Sequence, residues 1–184
     1  AVDLGKGALF FTAHFGLWEI AQAPINPIIP IHVVARPLDN MFLEKTLLRL
    51  RGRLGSRVIS KFQASREVLK ALRNQETVAI LIDQNVLAQE GIFVDFFGRS
   101  AATTPSLAMF HLRTGAPIIP VFCAPTADGR YRMQVFPPVQ VEKTGDRERD
   151  TAALTQACTK LIEDQIRLSP EYWFWFHDRW KTRP

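Results

Sequence analysis

The chain has 184 residues, 47% hydrophobic and 22% charged, a balance that argues against disorder or simple repeats and provides enough apolar surface for one compact domain over residues 1–184. Lys and Arg together number 23 against 18 Asp and Glu, so the favoured partners are anionic: phosphate, nucleic acid, an acidic protein or an anionic lipid surface. No run reaches the ~20 apolar residues of a membrane span, because "PINPIIPIHVVA" is cut by Pro24, Pro27 and Pro30.

In chain order, apolar runs predict strands at about Ala8–Ala13, Ile31–Ala35, Val58–Ile59, Thr77–Ile82, Pro117–Cys123, Tyr131–Phe136 and Trp173–Phe176. Helical spacing fills the intervals. "LDNMFLEKTLLRLRGRLG" has Asp39 or Asn40 as its cap and Gly55 as its stop, and a second helix spans Ala64 to Arg73. In "TTPSLAMFHLRTGAPIIPV", Thr104 is placed as a cap, Pro105 at the first helical position and Gly115 at the end. Asp128-Gly129 signals a hairpin, "EKTGDRERD" a surface loop, and Thr151 to Leu168 a last amphipathic helix. The alternation predicts an α/β fold: a mostly parallel twisted sheet of about seven strands flanked by helices. Cys123 and Cys158, far apart and in apolar contexts, are expected as buried thiols of a reducing compartment. The chain lacks an initiator Met and enters its first strand within about seven residues, which points to a fragment.

Sites in open α/β sheets form beyond the carboxyl ends of the strands. His14, Arg36, Asp83 and Gln84 fall at such ends. In "FFTAHFGLWEI", Gly16 separates His14 from Glu19, so the histidine ends a strand while the glutamate enters the first turn of a helix. A carboxylate on one ring nitrogen fixes the tautomer and leaves the other nitrogen to take a proton, which makes a general base for a hydroxyl nucleophile. The same spacing fits a satisfied core histidine and a glutamate that complements a helix dipole. No second His or Cys stands at metal-ligand spacing, and HExxH, GxSxG and glycine-rich phosphate loops are absent, so no metal or cofactor is expected.

Seven stretches in order, "HFGLWE", "ARPLDN", "LRLRGRLG", "ILIDQN", "VDFFGRSAATTPSLA", "GAPIIPVF" and "PEYWFWFHDRWKTRP", resemble the bacterial lipid A late acyltransferases of the lauroyl and myristoyl type, the first as an HxxxxE motif. The resemblance covers essentially the whole chain. It implies a glycerolipid-acyltransferase-like fold and an enzyme at the cytoplasmic face of the inner membrane. That enzyme moves a fatty acyl group from acyl carrier protein to a hydroxyl of a lipid A precursor. A close variant acylates another glycolipid, such as a phosphatidylinositol mannoside, from acyl-CoA. A noncatalytic basic membrane-binding protein is the alternative from a different class. Nucleic acid is not expected, because the basic residues are dispersed and no recognition motif accompanies them.

By this resemblance His14 is the base, Glu19 its orienting partner and Arg51 an arginine at the reacting centre, where its permanent charge and several N–H groups suit it as donor to the developing oxyanion; the alternative for Arg51 is a solvated arginine among Arg49, Arg53 and Arg57. Arg36, Asp39, Asn40, Asp83, Gln84, Phe97, Thr104 and Arg179 fall at further substrate-binding positions. Each has a structural alternative. Arg36 pairs with Asp39, Asp83 and Gln84 satisfy a strand end, Phe97 is core, and Thr103 and Thr104 are caps. The closing segment is either a buried strand or a membrane-interface element built on Trp180, Arg179, Lys181 and Arg183. Family members often carry Gly before the His and Asn before the Trp, whereas this chain has Ala13 and Leu17. They also carry a membrane-anchoring helix and roughly a third of their length ahead of the HxxxxE motif.

Overall fold

The computed structural model of the chain describes residues 5–184. The elements are strands β1 (Ala8–Thr12), β2 (Ile31–Ala35), β3 (Arg57–Ser60), β4 (Thr77–Leu81), β5 (Ile92–Phe96), β6 (Arg99–Thr103), β7 (Ile118–Pro125) and β8 (Tyr131–Val135). The helices are α1 (Met41–Arg53), α2 (Ala64–Arg73), α3 (Ser106–Thr114) and α4 (Arg147–Leu168). Among the described residues, six strands form one sheet in the order β3-β2-β4-β1-β7-β8, and β5 and β6 form a separate hairpin. All neighbours in the sheet are parallel except β7 and β8, the pair joined through Asp128-Gly129.

Alternation along β1 sorts its side chains to two faces. Leu9 and Phe11 enter the large core with Val78, Ile80 and Ile118, while Ala8 packs with Ile119 and Val121 in a small cluster on the other side. The large core is closed by α2, α3 and α4. On α4, Leu154, Cys158, Ile162 and Ile166 recur at four-residue intervals and are all buried, which is the one-sided stripe a helix needs to lie on a sheet. Thr155 and Thr159 share this buried flank, and each hydroxyl donates to the carbonyl four residues earlier at 2.8 Å. By contrast α1 buries only Arg51, while Phe42 and Leu43 are exposed. Both cysteines are buried and unpaired, and burial pushes the Cys158 thiol up to about 12.

Three expectations are corrected and one unforeseen hairpin is added. Trp173–Phe176 is not a strand. The chain there makes one bridge, Phe15 to Trp173, then the Trp175 N–H turns back to the Trp173 carbonyl at 3.0 Å, which breaks any ladder. The two strands β5 and β6 come from "IFVDFFGRSAAT", whose turn is hidden because Phe97 occupies the left-handed position where Asn is usual before Gly98 (φ 57° and 73°). Its N–H donates to Glu163 at 2.7 Å, and the Arg167 guanidinium lies 4.6 Å from its ring centre, so α4 holds the turn. Helix α4 starts four residues earlier than expected, with Asp146 accepting from the Glu148 and Arg149 N–H groups and Asp150 accepting from Thr144. Finally, residues 18–28 form successive turns and no regular helix, consistent with Pro24 and Pro27 removing backbone donors.

Gly16 is where the first strand's exit meets the rest of the sheet. Its N–H donates to the Tyr172 carbonyl at 2.8 Å and the next N–H, of Leu17, to the Cys123 carbonyl at 2.9 Å. Its φ is +57°, and a Cβ there would sit 2.1 Å from the Cys123 oxygen. Gly16→Ala is expected to cost about 1–3 kcal/mol of folding free energy. Urea denaturation of the two proteins measures it, and an unchanged midpoint would contradict the packing described.

Candidate active site

Parallel pairing of β1 with β4 sets Thr12 opposite Leu81. Two residues beyond this pair the strands end in His14 and Asp83, and there the side chains meet. The His14 backbone N–H donates to Asp83 Oδ2 at 2.9 Å, and His14 Nδ1 lies 2.8 Å from Asp83 Oδ1. From the closing segment, the Trp173 indole N–H donates to Oδ2 at 2.8 Å. Asp83 is only 4% exposed. Burial is the strongest influence on its carboxyl and acts to raise it, but the His14 bond and charge, with the Trp173 N–H, together hold it below its usual 3.8. An ionised carboxylate accepts only, so Nδ1 of a neutral His14 carries the proton and Nε2 keeps its lone pair.

That second nitrogen belongs to the wall of a cleft of about 800 Å³. Gln84, the next residue after Asp83, places its amide nitrogen 3.3 Å from His14 Nε2. Trp18 lies against the imidazole with ring centres 5.3 Å apart. The cleft mixes this polar end with apolar walls from β2, β4 and α3, including Val33, Ile80 and Phe110. Among the described residues no group of three or more His, Cys, Asp or Glu is arranged to hold a metal ion.

Glu19 reaches the same cleft but is not the ring's partner. Arg51 Nε and Nη2 donate to its two oxygens at 3.0 and 2.6 Å, a bidentate pair with Arg51 only 7% exposed. The reason is topological: Asp83 lies directly across from His14 on the neighbouring strand, whereas the Gly16 turn directs the following segment toward α1. Arg51 is accordingly the buried foot of α1, and two sides of its fork are committed to Glu19.

The remaining expected residues divide. Arg36, Asp39, Gln84 and Thr104 line the cleft, Arg36 and Asp39 forming an exposed pair at 3.4 Å. Asn40 caps α1, accepting from the Phe42 and Leu43 N–H groups at 3.0 and 3.2 Å. Thr104 supports the start of α3 through a 3.4 Å bond from the Ser106 N–H, while Pro105, expected at the first helical position, occupies the cap itself. Phe97 lies in the β5–β6 turn, packed against the core at 4.8 Å from the Phe96 ring and outside the cleft lining. Arg179 is 1% exposed, contrary to an interfacial position. It donates to the Ala102 carbonyl at 2.7 Å and to the Thr103 hydroxyl, and burial pushes its guanidinium down to about 10. Trp180 is half-buried against Phe96, so of the four residues expected at an interface only Lys181 and Arg183 are exposed.

Two site residues escape the sequence reading. Trp173 looks like one more aromatic of a strand, and His177 stands in the same run. The signal lay in the polar atoms of those rings: a buried indole N–H needs an acceptor, and a histidine amid aromatics needs a partner on at least one nitrogen. The Asn85 N–H donates to His177 Nε2 at 2.7 Å, and Asn85 is further tied to Thr182 through its side chain. Together with a 2.9 Å bond from the Phe174 N–H to the His14 carbonyl, these contacts strap the closing segment across the ends of β1 and β4.

A family model described as "Bacterial lipid A biosynthesis acyltransferase" matches residues 1–182. The phosphatidylinositol mannoside acyltransferase of Mycolicibacterium smegmatis is 28% identical over 184 residues, 98% of this chain and 59% of that protein. The lipid A biosynthesis lauroyltransferase of Escherichia coli K12 is 30% identical over 185 residues, covering 97% of this chain and 58% of its own. The palmitoleoyltransferase of the same organism is 28% identical over 181 residues, 97% and 57% of the two chains. The chain thus spans a little under three fifths of the length of these curated relatives.

The Asp83 carboxyl is depressed in the folded chain, so its contribution to stability is complete above the ordinary value of 3.8 and fades as pH falls below it toward the folded value. Asp83→Asn is expected to lower stability at pH 7 by about 1–3 kcal/mol. The gap between the two proteins in denaturation free energy should narrow from pH 5 to pH 3; a gap that is constant or widens on acidification would remove the ionised carboxylate from the account.

Proposed function

Because the chain belongs to the bacterial lipid A biosynthesis acyltransferase family, we propose that residues 1–184 act as its catalytic domain, transferring a fatty acyl group from a thioester to a hydroxyl of a lipid A precursor or related glycolipid. The observation that carries this reading is the His14–Asp83 pair at 2.8 Å, with the other imidazole nitrogen facing a cleft that is polar at one end and apolar along its walls. The Asp83 carboxylate holds the ring and offsets the charge it gains. His14 Nε2, released from Gln84, takes the hydroxyl proton as the oxygen attacks the thioester carbon. Collapse of the tetrahedral intermediate breaks the C–S bond, and the proton on Nε2 passes to the departing thiolate. No acyl-enzyme is formed and no cofactor is used. A general base of this kind supplies roughly 10²–10⁴ in rate.

Glu19 and Arg51 have the complementary task of shaping the cleft. Their bidentate pair ties the turn after Gly16 to α1, fixing one wall, and the basic residues at the cleft, Arg36 and Lys61, suit an acceptor that carries phosphate. We assign acyl carrier protein as the donor and the cytoplasmic face of the inner membrane as the place of work, where a lipid acceptor is accessible. Among the described residues no helix is long and apolar enough to cross a membrane. The relative named for phosphatidylinositol mannoside supports a second acceptor, so both are included in the test.

Mass spectrometry of the products decides the reading. Acyl carrier protein and coenzyme A thioesters of several chain lengths would be offered with a tetra-acylated lipid A precursor and with a phosphatidylinositol mannoside. A new ester is expected, falling by roughly 10²–10⁴ in kcat in His14→Ala, with Glu19→Gln acting mainly on KM. Absence of transfer from folded wild-type protein with every pair would reject the reading.

A further inference from the structure

Acyl transfer from a thioester needs a hydrogen-bond donor for the carbonyl oxygen as it becomes an oxyanion. Arg51 has Nε and Nη2 engaged with Glu19, and the His14 and Trp173 N–H groups are engaged with the Asp83 carboxylate. On the acyl-transfer reading above, we propose that His177 is a catalytic residue, donating from Nδ1–H to the oxyanion of the tetrahedral intermediate while His14 holds the hydroxyl proton.

Three observations lead to it. His177 lines the same cleft as His14 and Gln84. Its Nε2 accepts the Asn85 backbone N–H at 2.7 Å, and a backbone amide cannot reverse that direction. A neutral imidazole that accepts at one nitrogen carries its proton on the other, so the tautomer is Nδ1–H, and among the described residues no protein acceptor takes that hydrogen. The ring is therefore a neutral donor, held at Nε2 by Asn85, among the residues that line the cleft. Burial is the main cause that pushes the imidazole below its usual 6.5, opposed by the Asp83 and Asp178 carboxylates and reinforced by Arg179 and His14. Neutrality matters because an imidazolium here would need both nitrogens as donors, and the Asn85 N–H would then face a second N–H.

The anchor explains why the segment is built as it is. Asn85 sits two residues after Asp83, and its side chain accepts from the Thr182 N–H at 3.1 Å and donates to the Thr182 hydroxyl at 3.0 Å. The base and the donor are thus referenced to one strand end, β4, through Asp83 for His14 and Asn85 for His177. In the reaction the hydroxyl oxygen bonds to the thioester carbon, the carbonyl π pair moves to oxygen, and His177 Nδ1–H bonds to that oxygen without giving up its proton. When the carbonyl re-forms the C–S bond breaks, and His14 returns its proton to sulfur.

The test combines spectroscopy with kinetics. The chain has 4 histidines, so nitrogen-15 NMR of the wild type beside His177→Phe identifies the ring by subtraction. A neutral Nδ1–H tautomer is expected; an Nε2–H tautomer or an imidazolium at pH 7 overturns the proposal whatever the activity. In the transfer assay, folded His177→Phe should lose roughly 10²–10³ in kcat with little change in KM. His177→Gln, whose amide can accept from Asn85 and still donate, should recover part of that loss. Wild-type transfer with an undiminished kcat in His177→Phe overturns the donor role alone, whereas a wild type that transfers nothing overturns the acyl-transfer reading and this role with it.

Discussion

The carboxylate of Asp83 ties the site together. It is nearly excluded from water, and three donors converge on it: two from His14 and one from Trp173. Each donor comes from a different constraint. The His14 backbone N–H reports that β1 leaves the sheet in register with β4, the imidazole reports the side-chain rotamer, and the indole reports that the end of the chain has folded back over both strands. A buried anion with fewer partners would be costly, so the three elements are held together by one charge.

Around that charge the protein separates two pairings that the sequence invites one to merge. His14 pairs with Asp83 at the centre of the sheet, where the carboxylate fixes the tautomer, and Glu19 pairs with Arg51 at the margin, where α1 joins the cleft. The first leaves one imidazole nitrogen free of the carboxylate, and the second ties the turn after Gly16 to α1. Their division follows from Gly16, whose positive φ lets the backbone approach the Cys123 carbonyl and turn away from His14 before Glu19 is reached. The closing aromatic segment belongs to the site for the same reason of geometry: its Trp173, Phe174 and His177 bond to the strand ends, leaving Arg179 to be buried under the β5–β6 hairpin.

Much of the fold was legible because it rests on short-range rules. The parallel strands are continuous apolar runs, α2 begins and ends where periodicity places it, Asn40 caps α1, and Gly115 ends α3 at φ 71°. The β5–β6 hairpin was hidden by Phe97 in a left-handed turn, a conformation supported by Glu163 and Arg167 from a helix over sixty residues away. The supposed last strand failed because aromatic composition says a residue is buried but not whether its backbone makes a ladder.

Local chemistry in the sequence determined most of the elements, the Asn40 cap, the strand ends at which a site forms, and the presence there of His14, Asp83, Gln84 and Arg36, with Glu19 five residues after His14. It also carried the family, since the motifs run in order along the chain. Only the tertiary structure decided which carboxylate serves the imidazole, what Arg51 holds, and that Trp173 and His177 stand beside residues some ninety positions earlier. The physical reason is that a hydrogen bond depends on distance and direction to a few tenths of an ångström. Strand register and a returning chain set both, and neither is encoded in the spacing of residues along one segment.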